Sequence, residues 1–122
     1  MKITFAPAKK SLSRVREANR AIVTVAALQF AWKANAIEHE QQIEAAVKEA
    51  KARGAQIIFL PELTLSRYPA DVCPTSTPNE TSETLSDGPT STLLRRLAKE
   101  NQIFVHGSLF EHQPFEDGRG LN

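Results

Sequence analysis

The sequence predicts an α/β fold in which short parallel strands alternate with helices, and three observations carry that prediction. Three apolar, β-rich runs occupy residues 22–30, 57–60 and 103–110. A helix-period stretch fills 35–53 between the first two and ends at Gly54, and a second helix-period stretch, from Thr90 or Ser91 to about Asn101, precedes the third run. Strand–helix–strand alternation of this kind builds parallel sheets, whose strands read as continuous apolar runs because both faces are covered.

The 122 residues fit one domain, and 41% hydrophobic with 24% charged residues is the balance of an ordinary globular chain. No apolar run approaches the roughly 20 residues that span a bilayer, so no membrane role is expected. A formal charge of +1 argues against a nucleic-acid surface. The charge is uneven, however: Lys2, Lys9, Lys10, Arg14, Arg16 and Arg20 face only Glu17, so residues 1–20 read as a basic N-terminal arm ahead of a folded domain at 21–122. That arm lacks the apolar stretch of a secretory signal. A single cysteine, Cys73, excludes an internal disulfide, and a reducing cytoplasm is the expected compartment.

Taken in order, IVTVAALQF at 22–30 is expected as a buried strand. Asn35 suits a helix N-cap with Glu38 three residues on, and Ile43, Ala46, Val47 and Ala50 then recur on one helical face while Glu44 and Lys48 stand four apart on the exposed side. Gly54 supplies the left-handed residue at the helix end. In IIFLPELTLSRY, at 57–68, Pro61 halts the strand because it cannot donate to a ladder, and Glu62 emerges past the strand's carboxyl end, where open α/β sheets place ligands. Apolar neighbours there would partly desolvate the carboxylate and favour a general base; the alternative reading is a solvated loop glutamate. Residues 63–90 are polar and proline-broken, a long loop leaving directly from Glu62. Its Asn79-Glu80-Thr81 tripeptide, without a secretory signal, is read as accidental. Leu93, Leu94, Leu97 and Ala98 form the buried stripe of the second helix. IFVHGSLF at 103–110 is the third strand, with Glu111 just beyond it, and 113–122 reads as a turn with no closing element. His106 is expected within a buried strand and His39 and His112 on the surface; no His/Cys spacing suggests a metal, and no glycine fingerprint suggests a nucleotide.

Four pieces together, VAALQF at 25–30, GAQIIFLPEL at 54–63 with Tyr68 downstream, DGPTSTLLRRLAKENQIFVHGSLFE at 87–111 and the terminal GRGLN, make the chain resemble the N-terminal part of the carbon–nitrogen hydrolase family, the nitrilase superfamily of amidases, carbamoylases and nitrilases. The resemblance covers about residues 22–122. It implies the N-terminal part of a four-layer α-β-β-α sandwich and a Glu–Lys–Cys triad without cofactor or metal. In that scheme Glu62 is the general base that takes the cysteine's proton, the thiolate attacks the amide or carbamoyl carbon, and a lysine helps hold the oxyanion. Tyr68 corresponds to a pocket-lining position, with a packed aromatic as the alternative; Glu111, read from its own place just beyond a strand end, is a candidate site-supporting carboxylate, with structural pairing as the favoured reading.

The chain departs from the family pattern in its remaining partners. The family's lysine and cysteine lie downstream of the segment matched by GRGLN. Cys73 stands on the wrong side of the second helix for the nucleophile and reads as an incidental loop cysteine, while Lys99 reads as a solvated residue at that helix's end. The resemblance therefore implies a hydrolase of small linear amides or N-carbamoyl compounds of which this chain holds only the glutamate. Alone it is expected to be inactive, to leave apolar sheet surface uncovered, and to need a missing C-terminal half or partner chain, the complete protein being a homo-oligomer. The rival reading is a non-catalytic interaction module that uses the basic arm or the exposed sheet.

Overall fold

The apolar run at 57–60 forms the middle of a three-stranded parallel sheet, as its lack of polar residues requires. Strand β1 (Val25–Ala27) pairs with β2 (Ile57–Phe59), and β2 pairs with β3 (Phe104–His106), in the spatial order β1-β2-β3. The register aligns Val25, Ile57 and Phe104 in one row and Ala26, Ile58 and Val105 in the next. Helix α1 (Ala36–Ala52) connects β1 to β2, and α2 (Pro89–Asn101) precedes β3. A short antiparallel pair, β4 (Glu111–His112) with β5 (Gly120–Leu121), follows. The computed structural model describes residues 2–7, 12, 19–69 and 81–112, and the backbone of 120–121. Most of the basic arm, Cys73 and Asn79-Glu80 lie outside the described residues.

Both helices lie against the same face of the sheet. Ile43, Val47 and Ala50 of α1 and Leu93 and Leu97 of α2 share one core with Ile58 and Ile103, and Ile43, Val47, Ile58 and Leu97 have no exposed surface. Burying each of those side chains contributes about 1.5–3 kcal/mol. Arg96 ties the helices together on the outside, its Nη2 donating to Glu44 at 2.6 Å and to Glu40. Glu44 is thus held by α2, where the sequence paired it with Lys48 on α1.

Local chemistry sets the helix ends. Asn35 caps α1 by accepting from Glu38 N–H at 3.1 Å, and Gly54 takes φ +89° after its last turn. Helix α2 begins at Pro89, whose fixed φ suits a first helical position, and its N-cap is Gly88, which has no side chain to offer. Thr90 is therefore not the cap the sequence suggested. Its N–H and Oγ1 both donate to the Glu83 carboxylate, each at 2.7 Å.

Three expectations require correction. The strands are covered on one face only: Ala26, Ile58 and Val105 point to the helices, while Val25, Phe59, Phe104 and His106 are exposed on the other side. His106 is consequently not buried; it stands beside Phe59 with ring centroids 5.1 Å apart. The chain after 112 does have a closing element, because β4 pairs with β5.

Candidate functional site

Pro61 ends β2, and the backbone then folds tightly enough that Leu63 adopts φ +50°, a left-handed conformation unusual for a residue with a Cβ. This places Glu62 at the carboxyl end of the central strand. There it borders a cavity of about 110 Å³ whose other walls include Phe30, Trp32, His39, Thr64 and Tyr68. Glu62 is exposed, so its apolar surroundings lie on one side and do not enclose it. Tyr68 also lines the cavity and is half exposed. Glu111 does not line it; its backbone lies on β4, bridged to Glu83, with Glu83 N–H donating to Phe110 O at 2.8 Å.

His39 is the residue that the sequence placed wrongly. It is 3% exposed, not on the surface, because it falls four residues before Ile43 on the buried stripe of α1. Its Nε2–H donates to the Thr64 carbonyl at 3.0 Å, which makes Nδ1 the ring's acceptor. Nδ1 is buried and has no hydrogen-bond partner among the described residues. The rings of Phe30 and Trp32 flank it at centroid distances of 5.9 and 6.3 Å. Trp32 in turn donates from Nε1 to Leu65 O at 3.1 Å and lies under the Arg67 guanidinium, 5.9 Å from its ring centre. The i, i+4 spacing of His39 to Ile43 was the available signal for its burial.

Two displaced ionisations lie away from this cavity. The Thr84 hydroxyl, then that of Ser86, donates to Asp87 and holds its carboxyl below the usual carboxylate range, and the bond that Arg96 donates to Glu44 chiefly raises the Arg96 guanidinium. Among the described residues, no group of three or more His, Cys, Asp or Glu side chains could hold a metal ion. None of the described helices is long and apolar enough to cross a membrane.

The structure thus puts Glu62 past the end of the central parallel strand, at a cavity walled in part by Phe30 and Trp32. The carbon–nitrogen hydrolase family model matches residues 24–122. The chain belongs to the carbon–nitrogen hydrolase family. The match begins at the threonine before β1 and takes in every described strand and helix, so the whole sheet and the Glu62 cavity fall inside the family region. No curated protein matched the chain. Its parallel sheet and two helices agree with part of a nitrilase-like fold, and carbon–nitrogen bond hydrolysis is the general activity that membership suggests.

Proposed function

We propose that this chain supplies the general base, Glu62, of a hydrolase acting on small linear amides or N-carbamoyl compounds, and that the lysine and cysteine of the triad come from sequence outside it. The observation carrying this reading is the position of Glu62, on a cavity rim at the carboxyl end of β2. A carboxylate there borders the space from which a thiol would approach. It would take the thiol proton as sulfur attacks the carbonyl carbon, return that proton to the departing amine, and then activate the water that hydrolyses the thioester.

The cavity, about 110 Å³, is smaller than the roughly 300–1,000 Å³ of common ligand pockets, which fits a site whose remaining walls are contributed by another segment. On this reading, with the lysine and cysteine supplied from elsewhere, the chain is inactive by itself. Its open sheet face, with Val25 and Phe104 54% and 76% exposed, fits the inner surface of a four-layer sandwich completed by a second sheet. That exposed face is also what a non-catalytic interaction module would use, and one experiment separates the two. Amide and N-carbamoyl hydrolysis is measured in the product that carries this chain together with a downstream lysine and cysteine, with and without Glu62→Gln. Loss of about 10²–10⁴-fold in turnover is expected for a missing general base. Turnover unchanged by the substitution refutes the assignment, and absence of turnover in the unsubstituted product favours the interaction module.

A further inference from the structure

The backbone on either side of Glu62 is tied down by two hydroxyl side chains, one from its own turn and one from the segment after β3. Pro61 O accepts from Thr64 Oγ1 at 3.2 Å, and Leu63 N–H donates to Ser108 Oγ at 2.7 Å. Thr64, 2% exposed, is itself held three further times. Its N–H donates to Ser108 O at 3.0 Å, its Oγ1 accepts from Ser108 N–H at 3.2 Å, and its carbonyl accepts from His39 Nε2–H at 3.0 Å. Helix α1, the end of β2 and the segment after β3 therefore converge two residues from Glu62. Gly107 permits the approach: a Cβ there would stand 2.7 Å from Thr64 Oγ1.

We propose that His39, Thr64 and Ser108 are positioning residues, a buried clamp that fixes where the Glu62 carboxylate reaches into the cavity. The proposal rests on reading Glu62 as the base. The left-handed Leu63 is the conformation most in need of such support, since a four-residue turn without it would relax to a commoner one and swing its neighbour's side chain. Both bonds flanking Glu62 come from hydroxyls, and hydroxyls add little to packing. His39 gives Thr64 O a hydrogen bond that an aliphatic residue at the same place could not give.

The test has two arms. In the hydrolase product, Thr64→Val keeps the shape and removes the hydroxyl. It is expected to lower kcat at least about 10-fold with KM little changed, because misplacing a reacting group by about 1 Å costs up to 100-fold. Thr64→Ser should restore kcat, and His39→Gln, which keeps a donor, should exceed His39→Leu. A purely structural role would lower the melting temperature while leaving kcat of the folded enzyme intact, and full kcat in both Thr64→Val and Ser108→Ala overturns the clamp. If Glu62→Gln abolishes turnover while the clamp variants stay active, the clamp alone fails. If Glu62→Gln stays active, the base reading fails first. The second arm needs no turnover: three-bond couplings of Glu62 in this chain should report one χ1 rotamer, averaged in Ser108→Ala together with faster exchange of the Leu63 amide. An averaged Glu62 in the unsubstituted chain overturns the proposal.

Discussion

Replacing Glu83 by alanine should destabilise the chain more than any other single change of a half-buried acidic residue described above. Helix α2 starts with Gly88 at its N-cap and so has no cap of its own; the Glu83 carboxylate fills that role from five residues upstream, accepting from Thr90 N–H and Thr90 Oγ1 at 2.7 Å each. Thr90 is 1% exposed, so water cannot replace the lost acceptor. A charge-assisted bond to a buried N–H contributes about 1.5–3 kcal/mol, and a carboxylate at a helix N-terminus adds about 0.3–1 kcal/mol. Discounting for the partial exposure of Glu83, the expected loss is about 2–3 kcal/mol, a large share of the roughly 5–15 kcal/mol that holds a domain together. That corresponds to a fall in melting temperature of about 8–12 °C for a chain of this size. Glu83→Gln keeps an acceptor for the N–H and loses only the charge, so it should cost about 1 kcal/mol. Urea unfolding followed by circular dichroism measures both variants. A loss below about 0.5 kcal/mol in Glu83→Ala would show that the helix start is held by something else.

Other perturbations follow from the same contacts. Leu97→Ala removes a side chain with no exposed surface at the centre of the core and should cost about 2–5 kcal/mol in the same unfolding experiment. Arg96→Ala cuts the ties to Glu44 and Glu40; because these groups are partly exposed the loss should be about 1 kcal/mol or less, and it should shrink in 1 M salt, which urea midpoints at two ionic strengths will read. The Asp87 carboxyl is held below its ordinary value by the Thr84 and Ser86 hydroxyls, so its folded-state pKa is the lower one. Its contribution is then present above about pH 4 and is lost as pH falls further, so Asp87→Asn should flatten the acid limb of the stability–pH curve and leave the rest unchanged.

What the residues disclosed and what they withheld divide along physical lines. The Asn35 cap, the Gly54 terminator and the Ile43–Val47 stripe were legible because each is decided by neighbours within about a turn of helix. Pro61 gave the end of β2 and, with it, the position of Glu62. The cap of α2 was not legible: Thr90 looks like a cap, but whether a hydroxyl caps or is capped depends on where Glu83 lies, and Glu83 is held by its bridge to Glu111. The open sheet face is expected from the resemblance to half of a sandwich, and not from the strands themselves. An apolar run such as IIFL is compatible with cover by helices on both faces or with an open face, because hydrophobicity records that a surface is to be covered and not by what. His39 shows the opposite case, because its four-residue spacing to Ile43 already places it on the inner stripe. Thr64 and Ser108 meet across 44 residues, a separation at which sequence patterning carries no signal.

The central claim is that the Glu62 carboxylate receives the thiol proton. The most direct measurement is the pre-steady-state rate of thioester formation in the product that carries both this chain and the downstream cysteine, using an activated amide and detecting the acyl adduct by mass. With glutamate at position 62 an adduct should form within the first turnover, and with glutamine its rate should fall by about 10²-fold or more. Acylation at equal rates in the two proteins would contradict the claim.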